Sequence, residues 1–240
     1  MNSKLKYILI SILIILIASI LFSVLRMYLA IRKTKVLMSI ATPYQRSLPH
    51  SDMKILVLGD STAYGTGSEK SSLTTAGRLG DLFPQADIQT IAENGLKING
   101  LLEKVKTLDT NTKYSLILVQ IGANDIMKLT PMKDIENDIN TLVDTLAPRT
   151  NNLIIMHSGN IGESEFFPFY LRSILSNRSK EMREIYVKQE EKDHVHYVDL
   201  INSSISKLTE ENPTLYYAND MLHLNGAGYG LWFDEIRKKI

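Results

Sequence analysis

Five short apolar segments alternate with helix-like segments between residues 53 and 240, and this alternation sets the strongest limit on the fold. The run at 55–58 is wholly apolar, as expected for a strand that is buried on both faces of a parallel sheet. The spacing predicts an α/β fold in which helices cover both faces of that sheet. Strands are predicted at 53–58, 87–92, 115–121, 153–156 and 195–200, and helices at 71–83, 131–146, 166–188 and 226–240, with a loop and helix at 95–108.

Polar or flexible residues follow the first three predicted strands. Ser61 comes after Gly59 and Asp60, Gly95 follows the second strand, and Asn124 follows the third. In a parallel sheet the loops that follow the strands lie at one edge, where open α/β sheets bind their ligands. We therefore expect Ser61, Gly95 and Asn124 to converge.

A histidine and an aspartate near the C-terminus complete a set suited to nucleophilic catalysis. Ester cleavage by a serine needs a base, a group that orients the base, and donors for the developing oxyanion. His223 can be the base and Asp220 its partner, in the loop before a helix that Asn225 is predicted to cap. The alternative for Ser61 is a structural serine that caps the helix after the first strand. Candidate oxyanion donors are the backbone N–H groups of Ser61 and Gly95 and the amide of Asn124.

These four segments, in this order and spacing, resemble the sequence blocks of the SGNH/GDSL hydrolase superfamily, from about Met53 to the C-terminus. The resemblance implies a flavodoxin-like three-layer α/β/α sandwich with a five-stranded parallel sheet. It also implies a serine esterase that works through an acyl-enzyme and needs no cofactor. The implied nucleophile, base and orienting acid are Ser61, His223 and Asp220, and the implied oxyanion hole is Ser61, Gly95 and Asn124.

One block departs from the family pattern, and two other functions stay open. Members often carry an asparagine a few residues before the glycine of the second block, where this chain has Thr90, and Gly100 is an alternative to Gly95. The same site would serve an acyltransferase, which differs in the access of water. A non-catalytic binding domain is the third interpretation, and the intact serine, asparagine, aspartate and histidine argue against it.

The N-terminal segment at 8–25 carries no charge and is long enough to span a membrane. A cleaved signal peptide is the alternative, but the apolar core is too long and no small-residue cleavage site follows. We expect an anchor at 1–30, a linker at 31–52 and a hydrolase domain at 53–240, and a chain that starts near Pro49 should be soluble and active. More basic residues follow the apolar segment than precede it, which favours a cytoplasmic domain. The alternative is that Lys4 and Lys6 hold the short N-terminal tail inside, so the side of the domain stays open.

Composition removes several classes of function. The chain has no cysteine, which excludes disulfides and thiolate chemistry, and its net charge of +1 gives no reason to expect nucleic acid as a partner. His194 and His196 share one strand face without an evident third ligand, so no metal is expected. The expected partners are an acyl ester of a small molecule, lipid or carbohydrate, and the membrane.

An aromatic stretch follows the fourth predicted strand and contains Phe166, Phe167 and Phe169. One interpretation is a helix that packs its aromatic start on the core. The other is a wall of the acyl-binding pocket, or a patch that faces lipid beside basic residues.

Overall fold

The computed structural model describes residues 3–240 and contains a five-stranded parallel sheet with the strand order β2-β1-β3-β4-β5. This is the flavodoxin-like order, with its switch point between β1 and β3. The predicted fold class is therefore confirmed. The strands are β1 (Lys54–Gly59), β2 (Asp87–Ala92), β3 (Leu116–Gln120), β4 (Leu153–Met156) and β5 (Val195–Tyr197).

Helices cover both faces of the sheet because alternate strand residues point to opposite sides, and both sets are apolar. In β1, Leu56 and Leu58 belong to one buried cluster, whereas Ile55 and Val57 belong to the other. The helices are α1 (Ser3–Ile40), α2 (Ser61–Tyr64), α3 (Thr75–Leu82), α4 (Ile98–Lys106), α5 (Ala123–Met127), α6 (Met132–Leu146), α7 (Phe169–Val187), α8 (Ser204–Glu211), α9 (Pro213–Tyr216) and α10 (Gly226–Arg237).

The structure corrects several of the predicted elements. The helix predicted at 71–83 is interrupted at Thr74, whose side chain caps α3 by accepting a hydrogen bond from the N–H of Gly77. The fifth strand ends at Tyr197 rather than at residue 200. Helices α8 and α9 were not predicted, because segments of eight and four residues are too short to show a clear helical period.

The N-terminal region differs from a simple anchor and linker. Helix α1 runs without a break from Ser3 to Ile40, so the expected boundary between residues 30 and 31 falls inside a helix. The segment at 41–52 packs along β2, where Arg46 forms a bridge with Ile88 and its guanidinium donates to the carbonyl groups of Gly80, Phe83 and Ala86. The segment at 41–52 is therefore attached to the edge of the sheet.

Candidate active site

Ser61 lies at the carboxyl edge of the sheet, as the first residue of α2. The preceding Gly59 has φ +151°, and a Cβ there would lie 1.9 Å from the carbonyl oxygen of Gln120, so only glycine fits at the end of β1. Asp60 caps α2, because its Oδ1 accepts from the N–H and the hydroxyl of Thr62, both at 2.9 Å. The turn thus holds Ser61 in one position.

A continuous chain of hydrogen bonds joins Ser61, His223 and Asp220. Ser61 Oγ lies 3.0 Å from His223 Nε2, and His223 Nδ1 lies 2.7 Å from Asp220 Oδ2. With the Nδ1 proton donated to the carboxylate, Nε2 is free to accept the proton of Ser61. All three side chains are buried. The structure therefore brings together residues that lie 162 and 3 positions apart in the sequence.

The carboxylate of Asp220 is held in its ionised form. Burial alone would raise its pKa, but the hydrogen bond and charge of His223, together with the backbone N–H groups of His223 and Leu222, keep the pKa below the usual value. Those two N–H groups donate to Oδ1 at 3.0 Å each. An ionised aspartate here can orient the imidazole and stabilise its protonated form.

Helix α10 fixes the loop that carries these residues. Asn225 caps the helix, because its Oδ1 accepts from the N–H groups of Ala227 and Gly228 at 3.0 Å each, as the sequence predicts. The N–H of Ala218 donates to the carbonyl of His223 at 2.7 Å, which closes the loop. The local sequence therefore specifies a rigid turn between α9 and α10.

The three candidate oxyanion donors line the same pocket as His223. Gly95 has φ +80°, which favours glycine, and a Cβ there would project into open space. Its loop is held by a 2.6 Å hydrogen bond from Thr66 to Asn94, a contact that the sequence analysis did not identify. Gly100, the alternative, lies inside α4 and outside the lining of this pocket.

Asn124 is the second residue of α5 and is 6% exposed. Its neighbour Asp125 accepts from the N–H of Ile98 at 3.0 Å and ties α5 to α4. Within residues 3–240, the N–H groups of Ser61 and Gly95 and the amide of Asn124 have no protein acceptor. These donors are available to a bound oxyanion.

The pocket has a cavity of about 160 Å³ and a largely apolar wall. Thr34 and Met38 of α1 belong to that wall, and the sequence analysis did not identify them. Their spacing of four residues places them on one face of the helix, which is a weak signal on its own. Other apolar wall residues are Met127, Ile161, Leu222, Leu224 and Trp232.

The aromatic stretch lies elsewhere than the acyl-pocket interpretation expects. None of Phe166, Phe167 and Phe169 lines the pocket that contains Ser61, among the residues that the structure describes. Phe167 is buried in the core, whereas Phe169 is 70% exposed. All three border a surface groove beside Phe22 of α1. The rings are therefore placed next to the N-terminal helix.

Asp60 carries a buried carboxyl group whose second oxygen has no hydrogen-bond partner in residues 3–240. Burial raises the pKa of this carboxyl from 3.8 to about 6, against the lowering effect of the Thr62 hydrogen bonds. Since the folded pKa exceeds the unfolded one, the folded state binds the proton more tightly, and stability falls as the pH rises from about 4 to about 6. The difference corresponds to on the order of 3 kcal/mol at neutral pH.

Asp60→Asn is therefore expected to raise the free energy of unfolding at pH 7 by up to about 2–3 kcal/mol, because it removes the buried charge and keeps the acceptor for Thr62. Denaturant unfolding at pH 7 and pH 4 measures the difference between the two proteins. At pH 4 we expect the difference to shrink to below about 1 kcal/mol, because the carboxyl is then protonated in the folded state and about half protonated in the unfolded state. This account would be contradicted if Asp60→Asn were less stable than the wild type by the same amount at both pH values.

No three histidine, aspartate or glutamate side chains are grouped to hold a metal ion within residues 3–240.

A flavodoxin-like sheet with serine, histidine and aspartate hydrogen-bonded at its carboxyl edge defines a hydrolase of the SGNH type. The model of the GDSL-like Lipase/Acylhydrolase family matches residues 57–231, and the chain belongs to this family. The resemblance found in the sequence is thus confirmed. No curated protein sequence gives a significant match.

Solved structures support the same fold. A lipolytic protein of the G-D-S-L family from Veillonella parvula is 16% identical, with a TM-score of 0.62, over 78% of this chain and 97% of that one. A catalytic mutant of an acetylxylan esterase from Geobacillus stearothermophilus is also 16% identical, with a TM-score of 0.61 over 79% and 94%. A lipase from a goat rumen metagenome is 14% identical, with a TM-score of 0.59 over 78% and 97%.

Proposed function

We propose that the protein is a serine esterase that hydrolyses acyl esters through an acyl-enzyme on Ser61. The observation that carries the proposal is the unbroken hydrogen-bond chain from Ser61 through His223 to Asp220, next to three donors without protein acceptors. A serine is a weak nucleophile at neutral pH unless a base removes its proton. Here the base lies 3.0 Å from the hydroxyl.

In the acylation step, Ser61 Oγ bonds to the carbonyl carbon while its proton moves to His223 Nε2. The carbonyl oxygen becomes an oxyanion and accepts hydrogen bonds from the N–H groups of Ser61 and Gly95 and from Asn124 Nδ2. Collapse of this intermediate breaks the bond to the alcohol, which leaves with the proton from Nε2. The positive charge on the imidazole is meanwhile stabilised by Asp220.

Deacylation repeats these steps with water in place of the alcohol. His223 takes a proton from the water as its oxygen bonds to the acyl carbon, and the same donors stabilise the second oxyanion. The acid is released when the bond to Ser61 breaks and Oγ regains the proton from Nε2. An alcohol that replaced this water would give acyl transfer instead.

The size of the cavity supports a short acyl group. Its volume of about 160 Å³ is close to that of an apolar cavity that holds one benzene molecule, about 150 Å³. The apolar wall would bury a short alkyl chain, while a long chain would extend beyond it. The acetylxylan esterase among the structural neighbours is consistent with a short-chain substrate.

We expect the full-length protein in detergent to hydrolyse p-nitrophenyl acetate or butyrate at least about 10-fold more efficiently than the decanoate or longer esters. One poorly accommodated methylene costs about 1–3 kcal/mol of transition-state binding. Initial rates across the chain-length series give kcat/KM for each ester, and Ser61→Ala supplies the blank. A preference for long chains would reject the short-chain assignment, and equal rates in the blank would reject the nucleophile.

We further propose that the first half of α1 anchors the enzyme in a membrane. This helix is long and apolar enough to span, and its residues 3–22 are exposed in the structure. The helix continues to Ile40 and packs on the domain, which supports retention rather than cleavage of this segment. The exposed ring of Phe169 borders the groove beside Phe22, near the end of the apolar stretch of α1, and aromatic side chains favour the membrane interface.

High salt is expected to leave the protein in the membrane pellet, and detergent is expected to release it, because about 20 apolar residues hold a helix in the bilayer without ion pairs. Fractionation followed by immunoblotting measures this. Phe169→Ala should not change the distribution, since one interfacial ring adds little to a spanning helix. Salt at about 1 M reduces the screening length to about 3 Å and so weakens binding through surface charges. Release of the protein under this condition would contradict a spanning anchor.

A further inference from the structure

The membrane-distal half of α1 packs against the candidate active site along one stripe. Residues 3–22 are exposed, whereas Met27, Ala30, Thr34 and Leu37 are partly buried at spacings of three and four. This spacing follows one face of a helix, so α1 meets the domain as a packed element rather than as a flexible tether.

Thr34 makes the contact that matters most for the site. Its Oγ1 donates to Asp220 Oδ2 at 2.8 Å, the same oxygen that receives the Nδ1 proton of His223 at 2.7 Å. A helical hydroxyl commonly bonds to its own helix, as Ser23 does by donating to the carbonyl of Ser19. Thr34 donates across to the neighbouring loop instead.

Further polar contacts hold the same loop against α1. Lys33 Nζ donates to the carbonyl of Asn219 at 3.1 Å, directly before the aspartate. Arg26 donates to the carbonyl of Glu165 at 3.3 Å, and Glu165 lies next to the Ser164 hydroxyl that donates to Met221. The helix therefore bonds directly to Asn219 and Asp220, and it reaches Met221 only indirectly, through the segment that contains Ser164 and Glu165.

The hydrogen-bond donors around Asp220 explain why the hydroxyl of one threonine matters for the position of this carboxylate. Oδ1 receives two N–H groups from its own loop, and Oδ2 receives His223 and Thr34. Thr34 is the one donor among these that comes from outside the loop. Without it, the carboxylate keeps its partners in the loop but loses the bond that fixes Oδ2 towards the imidazole.

We propose that α1 is a component of the active site, with Thr34 as a positioning residue that orients Asp220 for His223. The proposal rests on the esterase function proposed above. It couples anchoring to catalysis, because the helix that enters the membrane also completes the hydrogen bonds of the orienting acid. Thr34 lies eight residues beyond Arg26, the first charge after the apolar stretch, which is about 12 Å along the helix axis.

This inference revises the expectation for a chain that starts near Pro49. Such a chain would lack Thr34 and Met38, both of which line the pocket. We now expect it to be impaired rather than fully active.

The test uses point variants of the full chain in detergent. Thr34→Val keeps the branched shape and removes the donor, so we expect kcat for p-nitrophenyl butyrate to fall about 10-fold, with KM within about 2-fold and an unchanged melting temperature. Thr34→Ser restores the donor and should recover kcat to within about 3-fold of the wild type. Ser39→Ala is the matched control, since Ser39 is exposed on the same helix and donates to the carbonyl of Val36.

A second measurement separates this inference from the esterase function. The Nδ1 proton of His223 should give a low-field NMR signal, identified by its loss in His223→Asn, and Thr34→Val should shift it or speed its exchange while Ser39→Ala does not. If the wild type has no esterase activity but Thr34→Val shifts this NMR signal, the esterase function is rejected and the contact between Thr34 and Asp220 is supported. The inference would be overturned if Thr34→Val kept the wild-type kcat and left the NMR signal unchanged. It would also be overturned if Thr34→Val and Thr34→Ser lost kcat and melting temperature equally.

Discussion

Ser61→Ala is expected to lower kcat by on the order of 10⁴- to 10⁶-fold. The variant removes the attacking oxygen and leaves His223 without a proton to accept from residue 61. Any remaining activity would come from water acting in the same pocket, helped by the oxyanion donors. Stability should change little, because within residues 3–240 the hydroxyl has one hydrogen-bond partner, His223, and caps no helix. Steady-state kinetics and thermal unfolding measure the two quantities.

Covalent labelling tests the same assignment independently of the substrate. A fluorophosphonate should modify Ser61, identified by peptide mass spectrometry, since only an activated serine reacts readily. His223→Ala should slow the labelling strongly. Ser158 lines the same pocket and provides the matched control, because Ser158→Ala should label like the wild type. Labelling of a different serine, or an undiminished rate in His223→Ala, would show that Ser61 is not the nucleophile.

Asn124→Ala is expected to lower kcat by about 10²- to 10³-fold, the usual cost of losing one oxyanion donor. The amide lies in the pocket with Ser61 and Gly95, and its contribution grows as charge develops on the carbonyl oxygen. Asn124→Asp should be worse, because a carboxylate would oppose the oxyanion with a like charge. Kinetics per folded molecule, corrected by circular dichroism, measure the effect.

Asn160 supplies the control for this prediction. It also lines the pocket, but its amide already donates to Glu163 and Ser176, so Asn160→Ala should change kcat only a few-fold. If Asn124→Ala melted at a lower temperature but kept its activity per folded molecule, Asn124 would have a structural role in α5 and no role in catalysis.

The sheet and the convergence at its edge follow from local patterns in the chain. Short, uniformly apolar runs bounded by turn residues, such as 55–58, are typical of strands buried on both faces of a parallel sheet, and parallel strands bring the loops that follow them to one edge. Ser61, Gly95 and Asn124 therefore meet for a topological reason, without knowledge of side-chain packing. The caps formed by Asp60 and Asn225 are local as well, since each bonds to residues within three positions.

Contacts between distant segments could be decided only by the tertiary structure. Thr34 and Asp220 lie 186 positions apart, and neither the helical period of α1 nor the loop before α10 specifies which face meets which. The exposure of Phe169 beside α1, against the burial of Phe167, depends in the same way on where the helix packs. Local sequence sets the conformation and the apolar face of an element, but its partner depends on the shapes of all the surfaces that compete for that face.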